Sequence, residues 1–442
     1  MVYNLFEQKN GETVSPKIKE APMEEDTRLA EKINRQLSEF TKRISRGLSK
    51  PKRKFVSQML FGMQVARDVK ISEIVRTLDE EIKLIKIENR LSRNLQANDL
   101  WQKVSARVLA EGARRVERDT VIAIDLTSIE KVYARKMDYL AQVWDGVKKE
   151  LVNGYWAIEA VAADINRDWV APLYGELYSQ DADDFKSENE LLLRVLNDIS
   201  SATKKKGIFV LDRGGDRKEL INPMLLEDMR FVIRANLKRQ IKIKGRRKWV
   251  TIREAAERQI DCPHTYKVEI DNQGFKEKRQ VSLGCAQAQL AGIDKELIVV
   301  VVKGFGKDPM VMFTNLKRNP IIVLEMYLTR WKIEESFRFL KQEYGLEDIR
   351  VRNYQSLKNT FALLSAVFYF LSVYLGRRLK LTVLVKKICE KAKRFFQIPA
   401  FNQYALADGI YRILFGTKWV DPWGAESSSK HDAQLSLGFM RL

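Results

Sequence analysis

The sequence predicts an α/β protein built on a mixed β-sheet, with a β-rich insertion late in the sheet and helical regions before and after it. Three observations carry this. Two apolar runs rich in β-branched residues, 120–130 and 207–215, each hold an aspartate, Asp125 and Asp212. Between them lie two more strand-like runs and one helical run. A helical stretch over 326–345 then places four polar side chains on one edge. At about 100° per residue Tyr327, Arg330, Glu334 and Lys341 fall within about 60° of one another. Met326, Ile333, Phe337 and Leu340 lie beside that edge, so the polar stripe borders a buried face.

In chain order, residues 1–40 are polar and carry charges of both signs, as a mobile or helical arm would. From 42 to 54 come seven basic residues and no acidic one: Lys42, Arg43, Arg46, Lys50, Lys52, Arg53 and Lys54. Helical patterns follow over 55–70 and 71–95. Ser72 is a candidate N-cap, Ile74, Val75 and Leu78 face inward, and Ile87, Leu91 and Leu95 repeat the pattern. Lys86, Arg90 and Arg93 then fall on the outer side, as in a helix-turn-helix with a basic second helix. An ordinary helical hairpin with a solvated face has the same pattern. Residues 41–118 are therefore expected as a helical, DNA-binding region, with Arg43, Lys52, Arg53, Lys86, Arg90 and Arg93 as candidate contacts.

From 119 the pattern changes to strands over 120–128, 155–163 and 169–177, a helix over 187–201, the strand ending in Asp212, a short helix over 218–228 and a strand over 230–236. The insertion, 237–318, opens in a basic run that begins at Arg234 and includes Arg239, Arg246, Arg247 and Lys248, with Trp249 directly after it. Basic residues beside an aromatic suit a nucleic-acid groove. Four strand-like runs follow, over 264–271, 278–284, 296–303 and 311–316. Residues 319–352 return to the core. Residues 353–442 are helical, with a loose Gly/Ser-rich tail from Gly424.

The net charge of +20 points to a polyanionic partner. The longest apolar stretch, fifteen residues from Phe361 to Leu375, is shorter than the ~20 needed to span a bilayer and reads as a buried helix. No membrane partner is expected. Cys262, Cys285 and Cys389 are few and scattered; Cys262, His264 and Cys285 lack the fourth ligand and spacing of a zinc site. A reduced, cytosolic setting follows. Carboxylates on buried strands are costly unless they bind a metal, pair or catalyse. Asp125, Asp212 and Glu334 are the set that suits a hard divalent cation. Glu335 lies off the stripe.

The spacing Y-(2)-R-(3)-E-(6)-K is met by Tyr327, Arg330, Glu334 and Lys341. The first aspartate opens Asp125-Leu126-Thr127, and the second is followed by Arg213, Gly214 and Gly215. Together these motifs resemble the DDE transposases of bacterial insertion sequences, in particular the large family usually numbered four. Many members have a second aspartate where Leu126 stands here. The resemblance spans residues 55 to 380 or so. It implies a ribonuclease-H-like core, with Asp125, Asp212 and Glu334 as catalytic residues holding two Mg²⁺ or Mn²⁺ ions. It implies that Tyr327, Arg330 and Lys341 contact DNA phosphate and that Trp249 holds a flipped base. It further implies cut-and-paste transposition at inverted-repeat ends of double-stranded DNA, by a homodimer in a synaptic complex in the bacterial cytoplasm, at the nucleoid. Two alternatives stay open: a non-catalytic DNA-binding protein derived from a transposase, and a nuclease on the same core.

Overall fold

The computed structural model describes residues 23–146, 148–165, 169–272, 275–293, 295–391 and 402–423. The arm expected over 1–40 lies outside them up to residue 22, and so does the tail from Gly424. The chain opens with five helices, α1 (Met23–Ile44), α2 (Lys50–Ala66), α3 (Ile71–Arg76), α4 (Leu84–Leu95) and α5 (Leu100–Ala113). From residue 23 the expected arm is firmly docked. Leu29, Ile33, Leu37, Phe40 and Ile44 repeat every three or four residues and are buried. The abundance of charge on the other face hides that stripe in the composition.

The sheet begins with β1 (Val121–Glu130), β2 (Ala141–Asp145), β3 (Glu150–Ala163) and β4 (Val170–Tyr178). Helix α6 (Glu188–Ala202) follows, its N-terminus capped by Ser187, whose side chain accepts from the Glu190 amide. Then come β5 (Ile208–Leu211), α7 (Lys218–Leu226) and β6 (Phe231–Arg234). Strand β3 runs antiparallel to β1 on one side and to β4 on the other, while β1, β5 and β6 are mutually parallel. The resulting order β4-β3-β1-β5-β6 has the β-β-β-α-β-α-β connection predicted for the core. Strand β2, a five-residue partner of the first part of β3, escaped the pattern because it is short and alternates with exposed residues.

The insertion contains β7 (Gln240–Ile243), β8 (Val250–Thr251), α8 (Ile252–Arg258), β9 (His264–Asn272), β10 (Phe275–Leu290), β11 (Leu297–Lys303) and β12 (Met310–Thr314). It extends the same sheet. β12 pairs with β6, β11 with β12, and β10 with β11, β7 and β9. β11 is buried on both faces, which explains its unbroken Val run.

The chain ends with α9 (Pro320–Leu328), α10 (Trp331–Tyr344), α11 (Tyr354–Tyr369), α12 (Arg377–Lys391) and α13 (Gln403–Leu414). One face of the sheet is covered by α6, α7 and α8. The other is covered by α9 over β5, β6, β10 and β11, and by α10 and α11 over β1, β3 and β4. The N-terminal and C-terminal helices share that second core, and Phe40 of α1 packs on Tyr369, Phe370 and Tyr374. Residues Tyr354–Tyr374 form a helix long and apolar enough to cross a membrane, but 94% of its apolar window is buried inside the fold. This is the buried helix that the sequence called for.

Candidate catalytic site

Asp125 and Asp212 are brought together by strand register. β1 and β5 are parallel, and Ala123 pairs with Val210. Asp125 lies two residues beyond Ala123 and Asp212 two beyond Val210, so both stand at the same level on the same face. Asp212 follows the last residue of β5. It caps a turn of 3₁₀ helix over Arg213–Gly215, its Oδ1 accepting from the Gly214 amide at 2.8 Å. Gly215 is required there, because a Cβ would lie 2.6 Å from the Leu211 Cβ. Asp125 Oδ1 accepts from the Leu126 amide at 3.0 Å.

The polar stripe sits on two helices where the sequence predicted one. α9 ends at Leu328, and Thr329 and Arg330 form a tightened turn before α10. There the amides of Arg330, Lys332 and Ile333 bond carbonyls three residues back. Thr329 Oγ1 also donates to the Glu325 carbonyl at 2.8 Å, a bond that bends helices. The turn aims Arg330 at β1. Its Nη1 lies 3.0 Å from Asp125 Oδ2, and its Nη2 lies 2.5 Å from Glu334 Oε1. Tyr327 is buried, with the guanidinium of Arg330 on its ring and that of Arg234 nearby. Lys341 Nζ donates to the Ser128 carbonyl at 2.7 Å and pairs with Glu347 at 3.0 Å, tying α10 to β1. Glu335, off the stripe, pairs with Arg338.

Burial pushes the Asp125 carboxyl up to about 6; Arg330 opposes this, and the charge on Asp212 adds to it. A second acid was missed in the sequence. Glu159 pairs across the sheet with Asp125, is wholly buried, and has no hydrogen-bond partner on either carboxyl oxygen among the described residues. Burial, with the Asp125 charge second, pushes it up to about 8. Its signal was legible: a lone acid inside the apolar strand Ile158-Glu159-Ala160-Val161. Lys131 was also missed. It is buried, donates to the Glu347 carbonyl at 2.7 Å, and is held down to about 8 by burial.

Three carboxylates are the donor set a hard cation takes. In this structure the Arg330 guanidinium lies between Asp125 and Glu334. Among the described residues no three His, Cys, Asp or Glu side chains group closely enough to hold an ion as they stand. The residues therefore fit the ion in chemistry, and Arg330 must give way for it.

The candidate DNA contacts divide in two. Arg246, Arg247, Lys248 and Trp249 are exposed on the β7–β8 turn, with Lys242 Nζ 5.3 Å from the Trp249 ring centre. Lys86 and Arg93 are exposed on α4. The others have partners within the protein, although Arg43 stays exposed. Arg90 donates to both oxygens of Glu80, and Lys52 pairs with Asp99 at 2.6 Å. Arg53 covers the Trp423 ring, and Arg43 lies over Tyr374 and 3.8 Å from Glu111. Arg239 is half-buried, pairs with Asp216 at 2.5 Å and donates to the Ala291 carbonyl. The expectation of an open basic face fails for Arg239, because the buried carboxylate of Asp216 takes its charge. The helix-turn-helix reading meets a six-residue α3 whose N-cap is Lys70, not Ser72.

Residues 170–371 match the profile of the family described as "Transposase DDE domain". The match supports a DDE transposase. It contains Asp212, Tyr327, Arg330, Glu334 and Lys341, and it begins after the strand that carries Asp125. No curated protein matches the chain. Among solved structures, a piggyBac transposase synaptic complex with hairpin DNA, determined by cryo-EM, is similar at 10% identity and a TM-score of 0.45, covering 89% of this chain and 80% of that one.

Proposed function

We propose that the chain is a DNA transposase of an insertion sequence that cuts and rejoins DNA at the element's inverted-repeat ends. The observation that carries this reading is the meeting of Asp125 and Asp212 on adjacent parallel strands, with Glu334 facing them across Arg330. Asp125, Asp212 and Glu334 would hold two Mg²⁺ or Mn²⁺ ions. When bound, such ions activate a water or a DNA 3′-hydroxyl and stabilise the leaving oxygen. No side chain of the protein would act as nucleophile. Arg330 is the guanidinium nearest the carboxylates, and a forked donor suits a scissile phosphate once it leaves them. Lys341 keeps α10 in register with β1, and Tyr327 supports Arg330 from below. Arg246, Arg247 and Lys248 would track the DNA backbone, with Trp249 offering a stacking face for a flipped base. Two protomers would act together in a synaptic complex, in a bacterial cytoplasm at the nucleoid.

The test uses full-length protein, DNA carrying the element's ends and Mg²⁺. Cleavage followed by joining of a 3′ end to a second duplex is the expected result. Cleavage without joining would identify a nuclease on the same core. Binding without cleavage would identify a transposase-derived DNA-binding protein.

A further inference from the structure

Glu159 is wholly buried, and neither of its carboxyl oxygens meets a hydrogen-bond donor of the described protein. It stands directly opposite Asp125 in the β1–β3 ladder. Side chains of such pairs share a face, with Cβ atoms about 4.5–5.5 Å apart. On its other side Glu159 pairs with Gly175. A Cβ there would lie 2.6 Å from Ser365 Oγ, so α11 closes down on this part of the sheet. Ala157 and Val161, on the same face of β3, are buried as well. Glu159 thus lies among buried apolar neighbours on its own strand, with Asp125 across the ladder on one side and α11, at Ser365, closing over Gly175 on the other.

A carboxyl in such a pocket costs stability, and an apolar side chain of the same size would pack better. A purely structural role gives no return for that cost. Proximity to Asp125 does. We propose that Glu159 is a positioning residue of the carboxylate site, backing Asp125 and strengthening the site's hold on a divalent cation. Groups behind a metal ligand commonly set its orientation and affinity in this way. The proposal rests on the metal-dependent reading of the site given above.

The experiment is titration of Mn²⁺ alone into full-length protein, followed by calorimetry and by the loss of the free-ion EPR signal. Wild type, Asp125→Asn, Glu159→Gln and Glu159→Met are compared, and the melting temperature of each is measured in chelator. Wild type should bind and Asp125→Asn should not. Both Glu159 variants should bind at least about tenfold more weakly, while melting at or above the wild-type temperature. Affinity within about twofold of wild type in both variants would overturn the role of Glu159 and leave the metal-dependent reading standing. Absence of Mn²⁺ binding by wild type would overturn that reading, and the role of Glu159 with it. Should Glu159→Gln not fold, Glu159→Met, suited to an apolar pocket, gives the same reading.

Discussion

In the half of the sheet formed by β4, β3, β1, β5 and β6, charged side chains turn inward and find partners. Arg330 spans Asp125 and Glu334, and buried Glu176 takes both Arg194 and Lys358. In the half formed by β12, β11, β10, β7 and β8, the charge gathers on an exposed turn, at Arg246, Arg247 and Lys248. The difference separates two jobs that a net charge of +20 merges. Inward charge sets geometry. Outward charge sets affinity for a polyanion and its salt dependence. Arg239 shows that position in the basic run does not decide which job a residue has. It belongs to the run by sequence and to an ion pair with the buried Asp216 carboxylate by structure.

The largest effect should come from the inward half. Asp125→Asn, Asp212→Asn and Glu334→Gln should each slow cleavage by about 10³-fold or more, since the chemistry that bound metal supplies is worth several kcal/mol. End binding should survive. Gel-based cleavage and mobility-shift assays, run side by side, read the two separately. Near wild-type cleavage by any one variant would remove that residue from the site. Glu335→Gln should be mild, because Glu335 is paired with Arg338 away from the carboxylates.

Arg330→Ala comes next. It should slow end processing by about 10²-fold, as loss of one charge-stabilising donor does. It should also tighten Mn²⁺ binding in the absence of DNA, since the guanidinium no longer competes for Asp125 and Glu334. Equal losses in DNA binding and cleavage, with Mn²⁺ affinity unchanged, would place Arg330 in general DNA affinity instead.

These effects bear on what the sequence could tell. Asp125 and Asp212 were legible because each ends or crosses a β-branched run, and the Tyr327–Lys341 spacing was legible outright. The break at Thr329–Arg330 was not. It comes from side-chain bonding to the helix backbone and from the pull of Asp125, a residue distant in sequence. The joining of the insertion to the main sheet was also hidden, because it depends on β12 returning to β6. Partners decide whether a basic residue is available, and partners such as Asp216 for Arg239 or Glu80 for Arg90 appear only when the chain is folded.

The contrast within the basic run can be broken directly. Replacing Arg246, Arg247 and Lys248 together by Ala should lower DNA affinity and reduce the slope of log affinity against log salt by up to about 2.7, at about 0.9 per phosphate contact. The melting temperature should not move. Arg239→Ala should do the reverse, costing about 3 kcal/mol by stranding the Asp216 carboxylate, with the salt slope unchanged. Loss of salt slope in Arg239→Ala at wild-type stability would mean that it reaches DNA after all.

The smallest effect concerns pH and the inward half alone. In metal-free protein, burial raises Glu159 from its ordinary 4.5 to about 8, and burial raises Asp125 from 3.8 to about 6. Both shifts are upward, so the folded state keeps protons that the unfolded chain has released. Stability falls with pH wherever the folded state binds more protons. For Glu159 that window runs from about 4.5 to about 8, and for Asp125 from about 4 to about 6. The melting temperature in chelator should therefore decline from pH 5 to pH 8. Glu159→Gln removes the wider window and keeps the narrower one, so its curve should flatten above pH 6 while wild type continues to fall. Differential scanning calorimetry of the two proteins across that range reads the difference. Parallel curves would mean that the Glu159 carboxyl is already ionised and partnered at neutral pH, and the inward half of the sheet would then hold its charges by pairing alone.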